Sequence, residues 1–196
     1  MSTRGRPRTF DRDHALERVM QVFWAQGYEG TQLGDLTAAI GITPPSFYAA
    51  FGSKEAAFRE AVDLYVSTAG VGPLRVLAEP ADARDSIRAM LKACVDVALS
   101  APRSGGCLLI LGVMNCHADT EPLRELLKNI RRRTAERIRE RLKRGIAEGE
   151  LPDDIDAASL ARYYGAVMQA ISMQARDGAS RKELEALIAP AMAALP

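Results

Sequence analysis

Residues 31 to 54 constrain the fold of this chain more than any other segment, because they contain two short helix patterns separated by a glycine-containing turn. The segment reads TQLGDLTAAIGITPPSFYAAFGSK. Leu33, Leu36 and Ile40 recur at helical spacing. Gly41 tolerates the left-handed backbone that ends many helices. The pattern therefore predicts a helix that begins with Thr31 as its cap and stops at Gly41.

The second pattern in this segment predicts a helix with one buried face. Thr43 is its expected cap, and Pro44-Pro45 suit a first turn whose amide hydrogens have no intrahelical partner. Phe47 and Phe51 are four residues apart and share a face, which we assign to the core. Two short helices joined by a tight turn form a helix-turn-helix, the unit that places its second helix in the DNA major groove.

The first twelve residues carry four arginines against one aspartate, a net charge of +3, although the whole chain has a net charge of only +1. Extended arginines fit the narrow minor groove of A·T-rich DNA. We expect Arg4, Arg6 and Arg8 to contact DNA and the arm, residues 1–11, to be flexible without it. A solubilising tail is the alternative.

The composition favours an all-α protein. Hydrophobic residues make up 47% of the chain and aromatic residues 6%, and we find no strand pattern. The sequence has no apolar run of transmembrane length and no secretory signal pattern, so the cytoplasm is the expected location and no membrane partner is expected. The three cysteines show no paired spacing, so we predict no disulfide framework.

The helix patterns divide the chain into four parts. We predict a basic arm (1–11), a three-helix DNA-binding domain with the helix-turn-helix (12–54), a connecting helix and linker (55–80), and a larger helical domain for ligand binding and dimerisation (81–196). In the last part, helices are expected from Asp82 to Ser100, over 107–116, from Thr120 to Ala147, after Asp156, and after a capping box at Ser180 and Glu183.

Residues 12 to 58 resemble the TetR/AcrR family of bacterial transcriptional regulators. The match rests on a set of positions at fixed spacing, which are Gly27-Tyr28, Thr31, Leu33, Leu36, Gly41-Ile42-Thr43, Phe47-Tyr48, Phe51, Lys54 and Phe58. Two departures are Pro45, where a glycine is common, and Ala49-Ala50. The resemblance implies a homodimer joined through its last two helices, a pocket in the C-terminal domain, and release from DNA when a ligand binds.

The segment also supplies the expected DNA contacts. We assign Tyr48, Lys54 and Thr31 to phosphates, the last at a helix start where free amides attract anions. Thr43 and Ser46 are the best placed to approach bases. For Thr31 and Thr43, helix capping alone is the alternative.

The apolar segment after residue 106, together with the helix after Asp156, suggests a ligand cavity, with core packing as the alternative. The candidate lining residues are Cys107, Ile110, Leu111, Met114, Tyr163 and Met168. Cys107 opens a predicted helix, where a thiol can have a lowered pKa and react with electrophiles or oxidants. The alternative is a small buried apolar side chain.

A broad apolar stripe in the last two helices suggests a four-helix dimer interface. Its candidate residues are Leu160, Tyr164, Val167, Ile171, Leu184, Leu187 and Ile188. The arginine-rich run from Arg131 to Arg144 is interleaved with glutamates and is expected to be a solvated helix face.

These patterns predict a sequence-specific DNA-binding regulator, most simply a repressor that a small ligand releases from a near-palindromic operator. A redox- or electrophile-sensing regulator acting through Cys107 is the alternative. An enzyme is a rival class, but we find no Ser-His-Asp set, phosphate loop or HExxH motif, and the chain has only two histidines. A nucleoid-type DNA binder without sequence preference is a second rival. No cofactor is expected. Cys116-His117 would need Cys94 or His14 to complete a metal site, and we predict none.

Overall fold

The computed structural model describes residues 11–101, 105–114 and 118–196. These residues form helices and no strands, as expected from the sequence. The arm residues Arg4, Arg6 and Arg8 lie outside the described part of the chain, as does Cys116-His117.

Four helices form the N-terminal unit, namely α1 (Arg12–Gly30), α2 (Leu33–Ile40), α3 (Pro44–Phe51) and α4 (Lys54–Ser67). Asp11 caps α1 by accepting from the His14 amide, and Ser53 caps α4 by accepting from the Ala56 amide. Gly41 has a left-handed backbone (φ 69°) between α2 and α3. The tight turn of the helix-turn-helix is therefore confirmed.

The remaining helices follow a short connector. They are α5 (Gly72–Arg75), α6 (Ala83–Ser100), α7 (Leu108–Leu111), α8 (Glu121–Ala147), α9 (Ala157–Arg176), α10 (Arg181–Ala186) and α11 (Ile188–Met192), with 3-10 turns at Val76–Ala78 and Ala118–Thr120. Asp82, Asp156 and the Ser180–Glu183 capping box stand where the sequence predicts.

The apolar side chains form two clusters. One lies within the C-terminal domain, between α6, α8, α9 and the last two helices. The other fills the N-terminal unit around Phe23, Phe47 and Phe58, but it also contains Leu108, Leu123 and Leu127 from α7 and α8. Burial of apolar side chains is the main stabilising term in folding, so the DNA-binding unit draws part of its stability from the C-terminal domain.

The expected start of α2 is wrong. The first helix runs on to Gly30 through a kink at Gly27, whose backbone is non-helical (φ 71°, ψ 174°). Gln32, not Thr31, precedes α2, and its amide donates to Asp35 Oδ2 at 2.7 Å. The Thr31 hydroxyl instead donates to the Gly27 carbonyl at 2.6 Å, because the kink frees that carbonyl.

The predicted buried helix over 107–116 is also wrong. Of residues 107–114, the part of this segment that the structure describes, only the single turn Leu108–Leu111 is helical, and the chain bends at 112–114. The carbonyl of Gly112 accepts a hydrogen bond from the Tyr28 amide at 2.7 Å. This contact with α1 takes the place of helix continuation.

The final helix divides at Leu187 into α10 and α11. Pro190 lies in the second of these, and a proline has no amide hydrogen to donate to the preceding turn. The missing amide hydrogen of Pro190 therefore accounts for the division of the helix.

Candidate DNA interface and ligand cavity

The exposed face of α3 is built by the pairing of its two phenylalanines on the opposite side. Phe47 and Phe51 are buried, with ring centroids 5.1 Å apart. Thr43, Ser46, Tyr48 and Ala49 are exposed. The packing of two aromatic rings thus fixes the rotation of α3 and leaves its other side open to a DNA groove.

Hydroxyl groups pre-order the start of this exposed face. Thr43 Oγ1 accepts from the Ser46 amide at 3.4 Å and lies 3.0 Å from Ser46 Oγ. Each hydroxyl keeps hydrogen-bonding capacity because an OH group can donate once and accept twice. The two residues predicted to approach bases are therefore brought together at the N-terminus of α3.

Tyr48 and Lys54 lie on either side of the turn between α3 and α4. Tyr48 is 50% exposed. Lys54 is half-buried and places its Nζ 4.3 Å from the centroid of the Tyr28 ring, a cation–π contact. Burial lowers the pKa of Lys54, while the carboxylates of Glu29 and Asp35 raise it. A DNA phosphate at this position would favour the charged form further.

Thr31 is a correction to the predicted DNA contacts. It is completely buried and its hydroxyl is engaged by Gly27, so its side chain does not face a phosphate. Gln32, the next residue, is exposed at the N-terminus of α2. Sequence reasoning chose threonine because it is the commoner cap, and the glycine kink that buries Thr31 gives no periodic signal.

A cavity of about 200 Å³ lies between α4, the connector after it and the helices of the C-terminal domain. It is mostly apolar, and it also contains a few polar groups. The lining residues that matter for chemistry are Tyr65, Cys94, Cys107, Thr134, Met168 and Ser172. A mostly apolar cavity with a few convergent polar groups is the usual form of a small-molecule site.

The polar groups of the cavity are linked through Cys107. The Tyr65 hydroxyl donates to Cys107 Sγ at 3.2 Å, and the Cys107 amide donates to Ser172 Oγ at 2.7 Å. Burial raises the pKa of the Cys107 thiol, although hydrogen bonds from Tyr65 and from the amides of Leu109 and Ile110 act in the opposite direction. The expected lowering at the helix start is present, but desolvation outweighs it.

The structure divides the six predicted lining residues. Cys107, Ile110 and Met168 line the cavity. Leu111 and Met114 line a separate cleft of about 260 Å³ beside Gly27 and Tyr28. Tyr163 is 39% exposed on the outer side of α9. Tyr65 and Ser172 were missed, since nothing in the periodicity of α4 or α9 separates a cavity wall from a packed core.

The predicted dimer residues need a similar correction. Tyr164, Ile171, Leu184 and Ile188 are buried inside a single chain, and Tyr164 donates its hydroxyl to the Ala191 carbonyl at 3.3 Å. Leu160, Val167 and Leu187 are partly buried against the same core. The stripe therefore covers the protomer's own α6, and it is not a free surface.

A second, shorter stripe on α9 faces outward. It consists of Tyr163, Ala166, Ala170 and Met173, which are exposed. Ala189 and Pro190 of α11, and Ala193 just after it, are also exposed. A surface of small and apolar side chains permits close approach of another helix.

Two hydrogen bonds connect α1 with the segment that forms one wall of the cavity. Trp24 Nε1 donates to the Gly106 carbonyl at 2.8 Å, and the Tyr28 amide donates to the Gly112 carbonyl. Residues 107 to 110 between these two points line the cavity at Cys107, Leu109 and Ile110. The cavity wall and the DNA-binding unit are thus in direct contact.

Comparison with known proteins identifies the architecture. Residues 16–61 match the family model described as "Bacterial regulatory proteins, tetR family", and residues 83–189 match the model "Tetracyclin repressor-like, C-terminal domain". The chain belongs to the TetR family. Both parts of the fold, the helix-turn-helix and the helical C-terminal domain, are accounted for by this family.

TetR-family relatives match along almost the whole chain. The HTH-type transcriptional repressor ComR of Escherichia coli is 32% identical over 183 residues, which cover 93% of this chain and 87% of ComR. A cysteine-substituted variant of the TetR family regulator CifR, in complex with 26-base-pair operator DNA, is 42% identical with a TM-score of 0.91, covering 97% of this chain and 100% of the other.

A more distant structure shares the fold alone. The reduced form of NemR from E. coli is 22% identical with a TM-score of 0.75, covering 94% of this chain and 97% of that one. No described helix is both long enough and apolar enough to cross a membrane.

Proposed function

We propose that this protein is a transcriptional repressor that binds a near-palindromic operator as a homodimer and is released by a small, mostly apolar ligand. The observation that carries the proposal is the exposed face of α3, where Thr43, Ser46 and Tyr48 lie on the solvent side of a helix held by buried aromatic rings. ComR is named a repressor, and CifR is described in complex with operator DNA. Both support the same activity here.

The contacts of α3 divide into two kinds. Thr43 and Ser46 are the hydroxyl groups placed to meet base edges, and the exposed Ala49 and Pro45 can pack against a thymine methyl group. Tyr48, Lys54 and Gln32 are placed for phosphates, which fix the position of the helix in the groove. Base readout by few polar groups implies that packing and DNA shape supply part of the specificity.

The outward stripe on α9 supports the dimer. Tyr163, Ala166, Ala170 and Met173 would pair with the same residues of a second copy, which is how a two-fold interface is built. Two recognition helices related by such an axis would stand about 34–36 Å apart, or somewhat more, to enter successive major grooves. A dimer of this kind would require a near-palindromic operator.

The cavity supports the ligand. Its volume of about 200 Å³ suits a small molecule, and the apolar wall favours a neutral hydrophobic or aromatic one. The hydroxyl of Tyr65, the thiol of Cys107 and the hydroxyl of Ser172 are the polar groups available to orient it.

Release would follow from the link between the cavity wall and α1. A ligand that prefers a different position of residues 107 to 110 shifts the anchor points at Gly106 and Gly112, and with them α1. Ligand and DNA must weaken each other by the same coupling free energy. A coupling of about 1–3 kcal/mol, typical of allosteric proteins, changes operator affinity roughly 5–150-fold.

A regulator that senses oxidants or electrophiles through a thiol is the second candidate function. The observation that favours this function is that Cys107 and Cys94 both line the cavity. Burial raises the pKa of both thiols, so the reactive thiolate is scarce at neutral pH. This electrostatic environment favours reversible ligand binding over rapid reaction. We also propose that the protein has no catalytic activity, in keeping with a family of regulators.

The direct test is to select genomic fragments with the purified full chain and to titrate a recovered fragment against a shuffled duplex of the same composition. We expect binding to the recovered fragment to be at least roughly a thousandfold tighter, the lower range for specific DNA-binding proteins. Equal affinity for both duplexes would overturn the proposal and favour a DNA binder without sequence preference.

A further inference from the structure

The guanidinium of Arg141 is buried on α8 and is only partly satisfied. Arg141 is 3% exposed. Its Nε donates to Ser86 Oγ at 3.2 Å, and its Nη2 donates to the Ala81 carbonyl at 2.6 Å and to Glu150 Oε2 at 2.8 Å. Its Nη1 is buried and has no hydrogen-bond partner among the described residues. An unmade hydrogen bond at a buried donor carries a desolvation cost, so such groups call for an explanation.

Arg141 lines two clefts of opposite character. One, of about 540 Å³, is rich in carboxylates and contains Glu79, Asp82, Glu148 and Glu150. The other, of about 320 Å³, is formed by α8 and the connector between α5 and α6, and contains Leu74, Leu77, Ala78, Arg137, Glu140, Arg141 and Arg144. Only the second has an excess of positive charge.

The arginines of the second cleft share one face of α8. Arg137, Arg141 and Arg144 follow one another at intervals of four and three residues, which places their side chains one above the other. Glu150 already pairs with Arg141. Arg144 also lines the carboxylate-rich cleft, but within the lining of the second cleft Glu140 is the one carboxylate beside three arginines. The lining of the second cleft therefore carries an excess of positive charge.

The two outer arginines are available. Arg137 and Arg144 are exposed, and Arg137 makes no ion pair within 11–101, 105–114 or 118–196. Arg144 donates only a long hydrogen bond, 3.4 Å, to the Leu77 carbonyl. Guanidinium groups present paired donors that match the oxygens of carboxylates and phosphates.

We propose that this cleft, which we call the α8 arginine cleft, is a binding site for a small oxyanion, the carboxylate or phosphate group of a small molecule. The oxyanion would lie between Arg137 and Arg144 and balance the excess charge. It would also supply the missing acceptor for Arg141 Nη1, directly or through one water. Leu74 lines both this cleft and the apolar cavity, so the two sites share a wall residue.

The test measures binding of inorganic phosphate and of acetate to the full chain by calorimetry, with chloride keeping the ionic strength constant. Saturable binding of phosphate or of acetate supports the proposal, and the preferred anion identifies the chemical source. The double variant Arg137→Gln/Arg144→Gln should weaken binding roughly tenfold or more, since it removes two charged donors. Glu140→Gln should strengthen binding, because it removes the carboxylate that competes for the site.

Arg139→Gln removes one positive charge from an exposed position of α8 that does not line the cleft, and its matched comparison is Arg137→Gln alone, which should weaken anion binding. Arg139→Gln should leave anion affinity unchanged. Circular dichroism of each variant checks the fold, which is expected to hold because the substituted side chains are exposed. The proposal is overturned if the wild type binds neither anion saturably, or if Arg137→Gln and Arg139→Gln lose affinity equally. Operator binding is not needed for any of these measurements.

Discussion

Trp24 donates its indole N–H to the carbonyl of Gly106 at 2.8 Å, across 82 positions of sequence. The bond is buried and lies one residue before Cys107, which lines the ligand cavity. The Trp24 ring also meets the Tyr65 ring edge-on, with centroids 4.9 Å apart. One side chain of the DNA-binding unit thus touches both the loop and the helix that form the cavity.

The first prediction concerns this bond. Trp24→Phe keeps an aromatic ring but leaves the Gly106 carbonyl without its donor, so the free energy of unfolding should fall by about 1–3 kcal/mol or more. Urea unfolding of the full chain measures it. Tyr48→Phe is the matched control: it removes one polar atom from an exposed ring, and should leave stability unchanged. Equal stability of Trp24→Phe and wild type would show that the bond is unimportant.

The second prediction concerns the kink of α1. Gly27 has a positive φ of 71°, and a Cβ there would lie 3.2 Å from the Gly112 carbonyl oxygen. Gly27→Ala should therefore destabilise the protein by about 1–3 kcal/mol, because this combination of positive φ and extended ψ is nearly restricted to glycine. Thermal unfolding tests this.

Gly34→Ala supplies the contrast for this measurement. Gly34 lies within α2, and a Cβ there meets nothing within 4 Å. The same substitution should stabilise the protein by roughly 0.5–1 kcal/mol, because alanine loses less backbone freedom in a helix. If both variants shift stability in the same direction, the kink at Gly27 is not rigid.

Local features of the fold were predictable from the sequence, and features that depend on distant contacts were not. Asp82, Asp156 and Ser180 were predicted correctly as helix caps, because each accepts a hydrogen bond from an amide two or three residues later in the chain. Phe47 and Phe51 were placed correctly because four-residue spacing defines a face. Tyr164 and Ile171 were misassigned to a dimer interface, because periodicity shows that a face is apolar and not which surface covers it. Thr31 was misassigned because its burial depends on a kink that contacts a distant loop.

The third prediction follows from the corrected stripe on α9. Ala170→Glu places a charge on an exposed, small-residue surface, so sedimentation should show dissociation to monomers and operator affinity should fall with it. Val167→Glu would not separate loss of the dimer from loss of protomer stability, since Val167 also packs against the protomer core. Ala147→Glu, at an exposed end of α8, should stay dimeric. A dimer of unchanged strength in Ala170→Glu would exclude this face.

The fourth prediction concerns pH. The Arg141 guanidinium, which donates to Glu150 Oε2, holds the pKa of Glu150 below its usual value of 4.5. Because the folded pKa lies below the unfolded one, this stabilisation is complete above the usual value and is lost as pH falls through the folded pKa. Glu150→Gln should thus be clearly less stable than wild type at neutral pH, with a difference that shrinks in acid.

Urea unfolding at a series of pH values measures that difference. Glu148→Gln removes a carboxylate from an exposed neighbouring position and should remain close to wild type at neutral pH. If the difference in the free energy of unfolding between Glu150→Gln and wild type stays constant down to strongly acidic pH, the ion pair is not the cause of that difference.

The fifth prediction separates the two modes of release. Cys107→Ser should leave the response to an inducer intact if the ligand binds reversibly, because the serine hydroxyl can still accept from Tyr65. The response should disappear if the thiol reacts. Operator titrations with and without the inducer decide between these modes.

The most direct test of the central claim, that α3 and the start of α4 form the operator-binding surface, is the salt dependence of operator affinity for wild type and Lys54→Ala. Loss of a phosphate contact should lower the slope of log affinity against log salt by about one unit per protomer, and weaken binding to all sequences about equally. Lys92→Ala removes the same charge from an exposed position on α6 and should match wild type. Indistinguishable slopes for Lys54→Ala and Lys92→Ala would contradict the account.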